Sequence, residues 1–138
     1  MKPTKENTLY LPIKQVYFDQ IIEGTKKEEY RVVGYGVTAN RYLLKDGNGY
    51  ALNPSCTREG EEYFIDDYNG GSFPFLPKRY KYLYIAVGYA KKRDTALIEV
   101  TDITFEPTRV RGEGEKKFTW WQAVYHLGKV VELHRKDE

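Results

Sequence analysis

Lys26, Glu29 and Arg31, set within six positions of one another, are the side chains whose types and spacing could do chemistry. A carboxylate held beside a lysine and an arginine orients both through charge-assisted hydrogen bonds and leaves spare donors for a phosphate or a base edge. A solvated strand face is the competing reading, because exposed charge is the ordinary state of a surface. The same trio also permits catalysis. A lysine desolvated in a cleft becomes a nucleophile or base, with Glu29 or Glu99 moving the proton. Other chemistries lack their residues. His126 and His134 stand eight apart, Cys56 is the one cysteine, and no paired-cysteine or His-x-x-x-His spacing exists, so neither a metal site nor a cofactor is expected. There is no nucleophile elbow and no GxxxxGK[ST] phosphate loop, and Gly34-Tyr35-Gly36 reads as a bend between strands.

The elements that must position the trio are a helix and a strand. Val16, Tyr17 with Phe18, and Ile21 with Ile22 recur at helical spacing, which predicts a helix over residues 13–23, and Gly24 fits the left-handed position just past its last turn. From Lys26 the period becomes two. Lys26, Glu28 and Tyr30 then share one face of a strand, and Lys27, Glu29 and Arg31 the other.

Gly24, Lys26, Glu29 and Arg31 fall in the spacing G-x-K-x-x-E-x-R, which resembles the signature of the ASCH domain. The preceding apolar helix, a basic hairpin at mid-chain, and Leu127-Gly128-Lys129-Val130-Val131-Glu132, similar to the family's last strand, extend the resemblance over most of the chain; residues 40–75 match nothing in it. The resemblance implies an α+β, mainly β fold: a single PUA-like β-barrel with one or two short helices, related to RNA-binding and modified-base-reading modules. It implies a cleft beside Gly24, Lys26, Glu29 and Arg31 that takes RNA or a small nucleotide or nucleoside. Trp120 or tyrosines would stack an unpaired base there, and Lys78, Arg79, Lys81, Lys91, Lys92 and Arg93 would guide the backbone. For Trp120 and Trp121, strand alternation offers the plainer reading of one ring inward and one outward.

An enzymatic alternative uses the same cluster. One bacterial branch of the family is an amidohydrolase for acetylcytidine that uses the motif lysine, a threonine two residues before the motif arginine, and a distant glutamate. Here Lys26 matches, Glu29 occupies the threonine's place, and Glu99 reads equally well as a surface residue. Ribonuclease activity is the other variant, with Lys26, Glu29 and Arg31 as acid, base and phosphate clamp. A protein-interaction module is a third class.

Composition limits the partners. At 138 residues one domain, 1–138, is expected. A net charge of +2 excludes a histone-like polycation, so any basic surface must be local. Residues 78–93 supply one, with six cationic side chains and no acid among them. Lone Cys56 gives no disulfide framework, and neither a signal peptide nor a membrane span is recognisable, so a soluble cytoplasmic protein is expected. Thirteen tyrosines against six phenylalanines suit strands with half-wet faces.

Along the chain, residues 1–8 read as loosely held, residues 8–11 as a strand ended by Pro12, and residues 38–44 show no clean period. Residues 45–49 carry a turn signal. Residues 53–77 have the composition of an insertion, either a lid over the motif, with a possible second helix, or an excursion without a role. Residues 78–90 and 96–105 form the expected antiparallel ribbon, closed at 91–94, and Pro107 ends the second strand. Residues 109–117 read as a link, 118–126 and 128–134 as two strands or one bent at Gly128, and 135–138 as a frayed end.

Overall fold

Leu9, Leu11 and Ile13 are buried while Tyr10 and Pro12 between them are exposed, so the first strand, β1 (Thr8–Ile13), turns one face inward. The computed structural model describes residues 2–33, 37–47, 49–50, 75–111 and 118–137, and most of them are in strands. After β1 come α1 (Gln15–Glu23), β2 (Glu28–Val33), α2 (Val37–Tyr42), β3 (Lys45–Asp46), β4 (Gly49–Tyr50), β5 (Tyr82–Val87), β6 (Thr95–Arg111) and β7 (Phe118–His134). Among the described residues a five-stranded mixed sheet has the order β1-β5-β6-β7-β2, and β3 pairs with β4 apart from it. Among the described residues the sheet is open, with β1 at one end and β2 at the other, and the closure of the expected barrel is not shown. Pro12 sits inside β1 and does not end it. A residue with no N–H to donate is tolerated in a strand at the edge of a sheet.

The chain divides into two compact units. The first comprises Met1–Glu29, Arg79–Asp102 and Tyr125–Glu138. In it β1 lies parallel to β5, and β5 antiparallel to β6, with Leu9 opposite Leu83 and Leu83 opposite Ile98, then Leu11 opposite Ile85 and Ile85 opposite Ala96. All six are buried, forming two apolar rows across three strands. Helix α1 lies against β5 and turns Phe18 and Ile21, three residues apart, inward. The second unit, Tyr30–Lys78 and Ile103–Val124, has a core that includes Val33, Tyr42, Leu43, Ile103, Phe105, Ala123 and Val124.

The expected β5–β6 ribbon is present, with shorter ends on β5. The Lys78 N–H goes to the Tyr42 carbonyl, and the N–H groups of Lys81 and Tyr82 go to Asn7, so the strand begins only at Tyr82. At the other end Gly88 turns the chain with φ +69°. Asn7 also ties down the N-terminal residues: its side chain accepts from the Thr4 N–H and donates to the Lys2 carbonyl. Residues 2–7 are therefore held in place. Helix α2 forms where the sequence shows no period, while most of the expected insertion lies outside the described residues. Its last residues return beside α2: Leu43 bridges to Pro77, and the Leu44 N–H donates to the Leu76 carbonyl. Strand β6 continues through Pro107, since proline costs a strand one donated hydrogen bond and leaves φ compatible with extension.

Strand β7 is continuous through Gly128, and a side chain there has no room. An added Cβ would stand 2.9 Å from Thr101 Cγ2 and 3.2 Å from Glu99 Cβ. Thr101 cannot easily turn away, because its hydroxyl donates to the His126 carbonyl. Gly128→Ala is expected to cost about 1–2 kcal/mol, as overpacking does, read as a lower urea midpoint with unchanged m-value.

Candidate functional site

The motif begins where α1 ends. Gly24 adopts φ +86°; its N–H bonds to the Ile21 carbonyl at 3.1 Å and the Thr25 N–H to the Gln20 carbonyl at 3.0 Å, a paired closure that satisfies the last helical carbonyls. Gly24 is therefore the helix stop that the sequence implies, and its role there is conformational. The Lys26 N–H also reaches the Gln20 carbonyl, which folds the chain back over the helix. The Lys26 ammonium then lies 5.4 Å from the centre of the Tyr17 ring, a cation–π contact that leaves the lysine half-buried.

Along β2 burial alternates as the sequence pattern requires. Glu29 is 6% exposed, Arg31 half-buried and Val33 buried, while Tyr30 and Val32 between them are exposed. Glu29 and Arg31 thus occupy successive inward positions of one strand, the first within one unit and the second within the other. Lys27 is exposed, and its carbonyl accepts the Leu127 N–H at 2.9 Å. Its side chain therefore does not share the inward face with Glu29.

The basic stripe is not continuous. Arg79 and Lys81 precede β5 and are exposed, whereas Lys91, Lys92 and Arg93 follow it. A six-residue strand, roughly 20 Å long, lies between the two groups. Arg93 is engaged locally, donating to the Gly88 carbonyl at 2.9 Å. Lys78, half-buried, belongs to the second unit. Sequence adjacency made one track of groups that the ribbon holds at opposite ends. Trp120 falls in β7, and its side chain lies outside the described residues. Glu99 is a partly exposed residue of β6, 3.9 Å from Lys129.

Compared with protein-family models, with curated proteins and with solved structures, the chain matches none. The site therefore stands on its own residues. Among the described residues no group of three or more His, Cys, Asp or Glu is placed to hold a metal ion, and no helix is long and apolar enough to cross a membrane.

A polar cluster that sequence reasoning missed lies in the first unit. The Asp94 carboxylate, its side chain 7% exposed, accepts from the Lys136 N–H at 2.9 Å, Gln15 Nε2 at 3.0 Å and Arg135 Nη1 at 3.1 Å. Arg135 Nη1 also donates to Asp19 Oδ1 at 3.2 Å, and the guanidinium carbon stands 5.3 Å from the centre of the Phe18 ring. The Lys136 N–H, then the Gln15 amide and the Arg135 guanidinium, hold the Asp94 carboxyl below its ordinary range; Asp19 and Asp94 in turn raise the Arg135 pKa. Arg135 and Lys136, expected to belong to a frayed end, instead clamp the start of α1 to the β5–β6 turn. Partners this remote in sequence give no local signal.

Proposed function

We propose that the chain is an ASCH-type module of PUA-like lineage that binds RNA or a nucleotide with a modified base through Lys26, Glu29 and Arg31. The burial of Glu29 carries this reading. A carboxylate so far removed from water requires charged or hydrogen-bonding neighbours, and the motif places two cations, Lys26 and Arg31, close to it in sequence. Cations organised by a buried acid keep donors for an anionic ligand. The mainly β composition, with α1 following β1 and leading into the motif strand, supports a PUA-like lineage although the sheet is open, and the lone Cys56 supports a cytoplasmic setting.

Affinity for a single-stranded RNA oligomer, measured by fluorescence anisotropy across a salt series, tests it. Wild type is expected to show a negative log–log slope, with Lys26→Ala binding about fivefold to tenfold more weakly and with a slope smaller by about one. Salt-independent binding, or a Lys26→Ala variant equal to wild type, would overturn the reading. Incubation with acylated cytidines and with RNA examines the catalytic alternative. Turnover lost in both Lys26→Ala and Glu29→Gln, with affinity kept, would replace binding by hydrolysis as the function.

A further inference from the structure

The face of the β1–β5 pair opposite the apolar rows carries tyrosines. Tyr10 and Tyr84 are register partners whose ring centres are 5.3 Å apart and inclined at 47°. Tyr82 follows on the same face of β5, two residues before Tyr84. Tyr10 is 51% exposed, and both Tyr82 and Tyr84 are half-buried, so each keeps part of its surface open to solvent. A pair of aromatic rings on a sheet is a surface on which unpaired bases stack, because every base offers a π-face.

Charge selects the occupant. The segment that enters β5 carries Arg79 and Lys81, both exposed, and the Lys81 N–H bonds to the Asn7 carbonyl, which brings it beside the turn that bears Lys2 and Lys5, exposed as well. Four cations and one acid, Glu6, therefore gather at the start of the two tyrosine-bearing strands. Glu99, opposite Tyr82, is 3.9 Å from Lys129. An apolar or proline-rich peptide would use the rings and leave those cations idle; a single-stranded nucleic acid uses both.

We infer that the tyrosine face of β1 and β5 binds single-stranded nucleic acid, with bases stacked on Tyr10 and Tyr84 and phosphates drawn to Arg79 and Lys81. This surface shares a ligand class with the motif reading but does not use Lys26, Glu29 or Arg31, so either can fail alone.

The test is anisotropy with a labelled oligouridylate and with an abasic oligomer of the same length. Wild type, Tyr10→Ala, Tyr84→Ala, Tyr10→Phe and Lys26→Ala are compared, each first checked for a native circular-dichroism spectrum and urea midpoint. Each alanine variant at a tyrosine is expected to bind the oligouridylate about tenfold more weakly, Tyr10→Phe to match wild type, and the abasic oligomer to bind weakly and with no response to Tyr10→Ala. Equal binding of the two oligomers, an unchanged Tyr10→Ala with an unchanged Tyr84→Ala, or tighter binding of a proline-rich peptide would overturn the inference. A loss confined to Lys26→Ala would overturn it and leave the motif reading standing; a loss confined to the tyrosine variants would do the reverse.

Discussion

Phe18→Ala is expected to lower stability by about 3–5 kcal/mol, the range for removing a fully buried aromatic ring, and, on the proposed reading, to weaken RNA binding with it. Phe18 is 0% exposed and is, with Ile21, one of the two residues by which α1 is buried. A nine-residue helix has no stability of its own in water, so α1 persists because its inward face packs against the sheet. The ring also seats the Arg135 guanidinium at 5.3 Å, so its loss disturbs the clamp on Asp19 and Asp94 as well. Domains of this kind have a total stability of roughly 5–15 kcal/mol, which leaves the variant near its unfolding transition at 37 °C. The proposed binding would suffer too, because the Gly24 closure hangs from the last turn of α1 and the Lys26 backbone is held by its N–H bond to the Gln20 carbonyl. Urea unfolding followed by far-UV circular dichroism reads the stability, and Phe18→Leu, which keeps most of the volume, should retain most of it. A Phe18→Ala loss below about 1 kcal/mol would mean that α1 is not held through this ring.

The contrast between what the chain revealed in advance and what it did not follows the range of the forces involved. Helix α1 and its stop were legible because a 3.6-residue period and a left-handed glycine are local signals. The inward placement of Glu29 and Arg31 was legible for the same reason, since alternation needs only neighbours along one strand. Helix α2 spans six residues, too few for a period to show. The start of β5 depended on where the N–H groups of Lys78, Lys81 and Tyr82 found acceptors, and these are on Tyr42 and Asn7, far away in the chain. The parallel pairing of β1 with β5 is equally non-local, and it alone brings Tyr10 to Tyr84. Six cations within sixteen positions suggested one track, but a ribbon has two ends, and spacing in sequence does not say which cation stands at which.

Asp94→Ala is expected to cost about 2–3 kcal/mol, or roughly 5–12 °C in Tm, because it removes a charged acceptor shared by three donors: the Lys136 N–H, and the Gln15 amide and Arg135 guanidinium, which are left with Asp19. The effect depends on pH in a definite direction. In the folded protein the carboxyl is held below its ordinary value of 3.8, so it binds its proton less readily there than in the unfolded chain. Its contribution is therefore complete above the unfolded value and is lost as pH falls through the lower folded value. Wild-type urea midpoints should decline on acidification below about pH 4, and those of Asp94→Ala should lack this component, so the two curves converge in acid. Asp94→Asn separates charge from shape, since it keeps an acceptor oxygen for one donor and cannot titrate; its midpoint should lie between the other two at pH 7 and share the flat acid limb of Asp94→Ala. Curves that stay parallel from pH 7 down to pH 2 would assign the acid sensitivity to another carboxylate and reduce Asp94 to a packing residue of the β5–β6 turn.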